Sequence, residues 1–198
     1  MEGYGALLSD LGATVALTAD HGMNDKSKAD GTPNVIFLQD ILDQQFGTGS
    51  TIVICPITDA FVRHHGALGG FVRVWCRDGR VTPAAIIETV RNVPGIDLAL
   101  TREEACQRFD LPADREGDVV VIGDVGTVIG ARQADHDLSN LQDARLRSHG
   151  AVTEARVPFI LSHPLNEHYL RRATSQSLKS HHIFDFAING TEVTKIGR

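Results

Sequence analysis

The residues best suited to chemistry are Asp20, His21 and Gly22, which follow the apolar run from Ala13 to Ala19. A β-branched and aliphatic stretch that stops at a carboxylate, an imidazole and a glycine describes a buried strand. Such a strand delivers two ligands at its C-terminal end, where open α/β sheets gather their sites. Carboxylate oxygen and imidazole nitrogen are also the donors of hydrolytic zinc, manganese or iron centres. An ordinary turn explains the same three residues, because Asp, His and Gly are all frequent after strands. His149-Gly150 repeats the pattern close to a second apolar run, Val157 to Leu161. Two imidazoles so far apart in the chain suit a site assembled from separate strand ends better than a compact zinc finger.

The elements that must position these groups follow from periodicity and turn signals. Tyr4, Leu7, Leu8 and Leu11 fall at helical spacing before Gly12, which predicts a helix over 2–11 feeding straight into a parallel-type strand over 13–19. That opening resembles the second half of a βαβ crossover, so the chain is expected to start in mid-domain. Residues 23–33 read as a solvated polar loop, 34–38 as a short strand, 39–45 as a helix and 47–50 as a flexible joint. Strands are expected at 51–55, 69–76, 96–100 and 118–122. Thr82-Pro83 starts a helix running to about Arg91, and Thr101 with Glu104 forms a capping-box start for another to about Phe109. The tail carries one helical segment near His182 to Ile188. The predicted organisation is an α/β core over 1–50 and 126–198, interrupted by a mixed α/β cap over 51–125.

Composition narrows the class. A length of 198 residues, with 42% hydrophobic and 22% charged residues, supports a globular core rather than disorder. A net charge of −6 without a Lys/Arg cluster argues against nucleic acid, and no apolar run is long enough to span a bilayer. The first residues lack the basic and apolar segments of a signal peptide. Three cysteines (Cys55, Cys76 and Cys106) without CxxC spacing read as reduced, small buried hydrophobes, which predicts a cytoplasmic protein.

Taken together, Thr18-Ala19-Asp20-His21-Gly22-Met23, Pro33-Asn34-Val35-Ile36, Ile54-Cys55-Pro56-Ile57-Thr58-Asp59, His64-His65-Gly66-Ala67-Leu68-Gly69 and Leu146-Arg147-Ser148-His149-Gly150 resemble the phosphonoacetate hydrolase family. That family lies within the alkaline phosphatase superfamily of two-metal phospho- and phosphonohydrolases. The Asp-His-Gly motif marks the superfamily; the Cys-Pro-Ile-Thr-Asp and His-His-Gly-Ala-Leu-Gly stretches narrow it to this branch. The resemblance covers essentially the whole chain, but only the C-terminal half of the family's protein. It implies part of an alkaline-phosphatase-like doubly wound core with an inserted cap, and two Zn2+ ions per complete enzyme, another divalent metal being an alternative. Asp20 and His21 then map onto ligands of one ion and His149 onto a ligand of the other. No catalytic residue is assigned within the chain, since the nucleophilic threonine, the substrate-gripping lysines and the other ligands are expected upstream. The implied reaction is hydrolysis of the carbon–phosphorus bond of phosphonoacetate to acetate and phosphate. The implied partners are a small phosphonate and, for the complete enzyme, a second copy.

Other residues are weaker candidates. His64 and His65 are adjacent on an extended chain and point to opposite faces. Asp135-His136-Asp137 reads as ligand-rich or as an Asx loop capping the next helix. His163, His168, His181 and His182 sit in the tail and read as surface residues. Lys26 and Lys28 read as a solvated loop, and Arg147 as either an anion contact or a structural ion pair. Thr18 lies inside a strand and Ser148 lacks a nucleophile elbow. The alternatives are a phosphodiesterase or phosphomutase of the same superfamily, or a truncated, non-catalytic metal-binding chain. The isolated chain is expected to turn nothing over and, with an open sheet edge, to self-associate.

Overall fold

A computed structural model describes residues 11–56, 68–141 and 144–192. The helix expected over 2–11, apart from Leu11, lies outside them, as do Thr58, Asp59, His64 and His65. In chain order the elements are β1 (Ala16–Thr18), β2 (Asn24–Asp25), β3 (Val35–Phe37), α1 (Leu38–Phe46), β4 (Thr51–Ile54) and β5 (Phe71–Cys76). There follow α2 (Pro83–Arg91), β6 (Ile96–Thr101), α3 (Arg102–Phe109), β7 (Val119–Gly123), β8 (Val128–Gly130) and β9 (Arg147–Ser148). Last come β10 (Phe159–Leu161), α4 (Glu167–Ser175) and α5 (His182–Asn189). They fall into two compact units, residues 21–155 and residues 1–20 with 156–198.

The larger unit is built around a four-stranded sheet in the order β4-β5-β7-β6, antiparallel throughout. Every residue of β7 is buried, which is why its sequence is an unbroken apolar run. Its alternate side chains serve two cores. Val119 and Val121 join Val53, Val72 and Val74, packed with Leu38 and Leu42 of α1 and Ile86, Ile87 and Val90 of α2. Val120 and Ile122 meet Ala105 of α3 and Ala151. Each such side chain contributes about 1.5–3 kcal/mol on burial.

Local signals set the helix ends. The Thr82 hydroxyl accepts the Ala85 N–H at 3.3 Å, with Pro83 in the first turn. At α3, Thr101 and Glu104 form the reciprocal capping box. Two small ladders complete this unit: β3 runs parallel to β8, and β2 antiparallel to β9.

In the smaller unit β1 pairs antiparallel with β10. This corrects the expectation of a buried, parallel-type strand over 13–19. Val15, Leu17 and Ile160 are exposed, and among the described residues β1 has no other strand partner. An apolar run says that a strand is suited to burial, but its neighbours decide whether burial occurs.

Helix α4 was not expected. Its sequence is polar apart from one face, and it is started by Asn166, whose side chain accepts the Tyr169 N–H at 3.1 Å. It is fastened to α5 through Asp185, which receives hydrogen bonds from Asn189 (2.9 Å), Arg172 (2.8 Å) and the Tyr169 hydroxyl (2.7 Å). These donors hold the Asp185 carboxyl far below its ordinary value of 3.8. A carboxyl depressed in the folded state stabilises above its unfolded value and loses that contribution as pH falls through its folded one. Asp185→Asn is therefore expected to lower the melting temperature near neutral pH. The gap from the unsubstituted chain should narrow progressively once pH drops below 3.8. Paired thermal melts across that range check it.

Candidate functional site

Residues 20–26 and 146–154 carry the candidate ligands. Asp20 is exposed and lies two residues beyond β1, directly before His21. His21 and His149 are half-buried, and their rings stack with centroids 3.6 Å apart and planes within 6°. The structure thus brings together two imidazoles that lie far apart in the sequence. His21 Nδ1 is 2.8 Å from the carbonyl oxygen of Gly22. A carbonyl only accepts, so Nδ1 carries the proton, and in the neutral ring Nε2 then holds the lone pair that a metal requires. Among the described residues no group of three or more His, Cys, Asp or Glu side chains converges on a single point. The donor chemistry of Asp20, His21 and His149 fits a divalent ion, with further ligands needed to complete a coordination shell.

The His149 loop is fixed from two directions. On one side, the Gly70 N–H donates to the His149 carbonyl at 2.7 Å, and the Ser148 hydroxyl donates to the carbonyl of Leu68. Gly70 is required there: a Cβ at this position would lie 2.5 Å from the backbone nitrogen of Ala151. Gly150 itself has a φ of 105°, a region that favours glycine. Gly70→Ala is expected to push the 149–151 backbone away and destabilise the unit by about 1–3 kcal/mol through overpacking. Chemical denaturation followed through the only tryptophan, Trp75 of β5, measures the loss.

On the other side stands a polar cluster centred on Glu154, with only 1% of its side chain exposed, and Lys26, with none. The Lys26 ammonium donates to Glu154 at 3.0 Å and to the carbonyls of Asp124 (3.3 Å) and Val125 (3.0 Å). Glu154 also receives Asn24 Nδ2 at 2.6 Å, the Thr153 hydroxyl at 2.7 Å and the Ala151 N–H at 2.7 Å. Burial by itself raises the Glu154 carboxyl. The hydrogen bonds from Thr153, Asn24 and Lys26, together with the ammonium charge, outweigh burial and leave it below the ordinary value of 4.5. This corrects the reading of Lys26 as a solvated loop residue; Lys28 is exposed as expected. No local pattern marks Lys26, because its carboxylate partner lies at the far end of the unit's sequence.

His136 is buried, with Nε2 accepting the Ala131 N–H at 2.9 Å and its ring 6.0 Å from Phe37. Asp137 accepts the Ser139 N–H at 2.9 Å, the Asx turn expected before the next helical turn. Arg147 reaches the Met23 carbonyl at 3.4 Å from an exposed position. The Ser148 hydroxyl is committed to Leu68, and Thr18 lies within β1. His163, His168, His181 and His182 all belong to the smaller unit. Burial, then the Asp135 charge, pushes the Cys55 thiol up to about 11, so it behaves as the small hydrophobe expected.

No protein-family model matches this chain. Solved structures do. The chain is similar to phosphonoacetate hydrolase from Sinorhizobium meliloti 1021 in complex with phosphonoformate, at 41% identity and a TM-score of 0.78. The same enzyme in complex with phosphonoacetate matches at 41% identity and a TM-score of 0.77. Both matches cover 94% of this chain and 44% of that one, so the chain spans less than half the length of its relative. Murine ectonucleotide pyrophosphatase/phosphodiesterase 5 shares the fold at 20% identity and a TM-score of 0.51, over 83% of this chain and 39% of that one. In sequence and in fold, the chain is similar to phosphonoacetate hydrolase over less than half of that protein's length.

Proposed function

We propose that the chain carries ligands of a metal-dependent hydrolase that cleaves the carbon–phosphorus bond of phosphonoacetate to acetate and phosphate. The convergence of His21 and His149, in a chain 41% identical to phosphonoacetate hydrolase, carries the reading. Asp20 and His21 would hold one divalent ion, zinc by preference, and His149 a second. When bound, such ions neutralise charge on phosphonate oxygens and acidify an attached hydroxyl or water. The chain's own residues prepare for this. The Gly22 carbonyl engages His21 Nδ1 and leaves Nε2 for a ligand, and the Asp20 carboxylate would temper the charge of an ion held with His21. Thr18 lies within β1 and the Ser148 hydroxyl donates to the Leu68 carbonyl, so attack on phosphorus is assigned to a group beyond the residues matched here.

The proposed substrate is a small phosphonate, and the proposed protein partner of the complete enzyme is a second copy. Free thiols at Cys55, Cys76 and Cys106 support a reducing, cytoplasmic setting. Among the described residues no helix is long and apolar enough to cross a membrane.

The test is to express the chain together with the part of the Sinorhizobium enzyme outside the match and supply Zn2+. Phosphonoacetate should then yield acetate and phosphate in equal amounts, with the chain alone inactive. Turnover of a nitrophenyl phosphodiester without turnover of phosphonoacetate would overturn the substrate assignment.

A further inference from the structure

The Glu154 cluster joins the two histidine loops to each other. The Gly22 N–H donates to the Glu154 carbonyl at 2.7 Å, and the Lys26 N–H to the Leu146 carbonyl at 2.8 Å. The β2–β9 register sets Asn24 opposite Ser148 and Asp25 opposite Arg147. The Glu154 carboxylate itself is shared: Asn24 and Lys26 donate from the loop after His21, while Ala151 and Thr153 donate from the loop after His149. Stability alone does not account for such a pair. Burying two charges is expensive, and an apolar pair of similar volume usually serves as well or better. What a saturated carboxylate adds is direction, because its hydrogen bonds hold four donors at fixed distances and angles.

We infer that Glu154 and Lys26 are a positioning pair that sets the separation and orientation of His21 and His149. The inference rests on the metal-site reading above for its use, but the clasp itself is visible without metal. It acts through the backbone: each histidine stands five residues from its member of the pair, and the ladder and carboxylate bonds between them leave little slack. Orientation of ligating groups by surrounding hydrogen bonds is the general way in which proteins tune a metal centre.

The experiment compares the unsubstituted chain with Lys26→Met/Glu154→Leu, which keeps volume but removes the directed bonds, and with Glu154→Gln. Thermal melting reports stability. The imidazole proton shifts of His21 and His149 in the metal-free protein report their mutual ring stacking, and Co2+ titration reports affinity. The double variant is expected to stay folded, lose the ring-current shifts of both histidines and bind Co2+ about 10–100-fold more weakly. Glu154→Gln, which keeps the shape and part of the bonding, should fall between the two. A folded double variant with unchanged histidine shifts and Co2+ affinity within about twofold would overturn the inference. If the double variant fails to fold, Glu154→Gln decides on the same shifts: moved resonances support the clasp and unmoved ones overturn it. If the unsubstituted chain takes up no Co2+ while the shifts still respond, the metal reading falls and the clasp stands.

Discussion

Glu154→Ala is expected to destabilise the 21–155 unit by about 3–5 kcal/mol, the range for stranding one member of a buried ion pair. The Lys26 ammonium, with none of its side chain exposed, would keep only the carbonyls of Asp124 and Val125 as partners. Its charge would go uncompensated, and Asn24, Thr153 and the Ala151 N–H would lose an acceptor at once. A control separates this from a general effect of removing charge. Glu167→Ala breaks the pair with Arg171, whose side chains are 91% and 70% exposed, and should cost less than about 1 kcal/mol. The acid dependence has a definite sign. The Glu154 carboxyl is depressed in the folded state, so its contribution is complete above 4.5 and declines as pH falls below that value. The deficit of Glu154→Ala should therefore shrink in acid. Urea unfolding monitored at Trp75 over a range of pH measures both the size and the trend.

His21→Ala and His149→Ala should each lower Zn2+ affinity more than 100-fold, beyond the range typical of losing an outer hydrogen-bond partner. Their effect on the metal-free protein should be small. Both rings are half-buried, and a stacked aromatic pair is worth about 0.5–1.5 kcal/mol beyond its area. That contrast identifies ligands, since a packing residue loses stability and leaves metal affinity unchanged. Asp20→Asn should weaken binding in the same way by removing the carboxylate charge. His163→Ala and His182→Ala are the matched controls and should leave the tight site intact. Isothermal titration with Zn2+, alongside thermal melts of the metal-free variants, reads the two quantities separately.

The fold was legible wherever the signal was local. Thr82-Pro83 and Thr101 with Glu104 mark helix starts because a cap and the donors it satisfies lie within one turn. The Val119–Ile122 run announces a strand buried on both faces for the same reason. What failed was information held by distant partners. The apolar run ending at Ala19 predicts a buried, parallel strand, but its only described ladder partner is an antiparallel strand near residue 160 that leaves Leu17 and Ile160 exposed. Polar neighbours predict a solvated Lys26, while the carboxylate and carbonyls that bury it come from residues 124, 125 and 154. The narrow apolar face of helix α4 gives little periodic signal, although Asn166 is an available start signal. At the candidate site, residue type and resemblance single out His21 and His149, whose rings the structure stacks together. Nothing in the local sequence of Glu154 or Gly70 shows that one gathers donors from two loops and the other admits the Ala151 backbone.

The most direct measurement of the central claim is a Zn2+ titration of the histidine-labelled chain, followed by the imidazole resonances one by one. His21 and His149 are expected to respond first and together, through Nε2 at His21. Zn2+ taken up by His163, His168, His181 or His182 while His21 and His149 stay unmoved would contradict that claim.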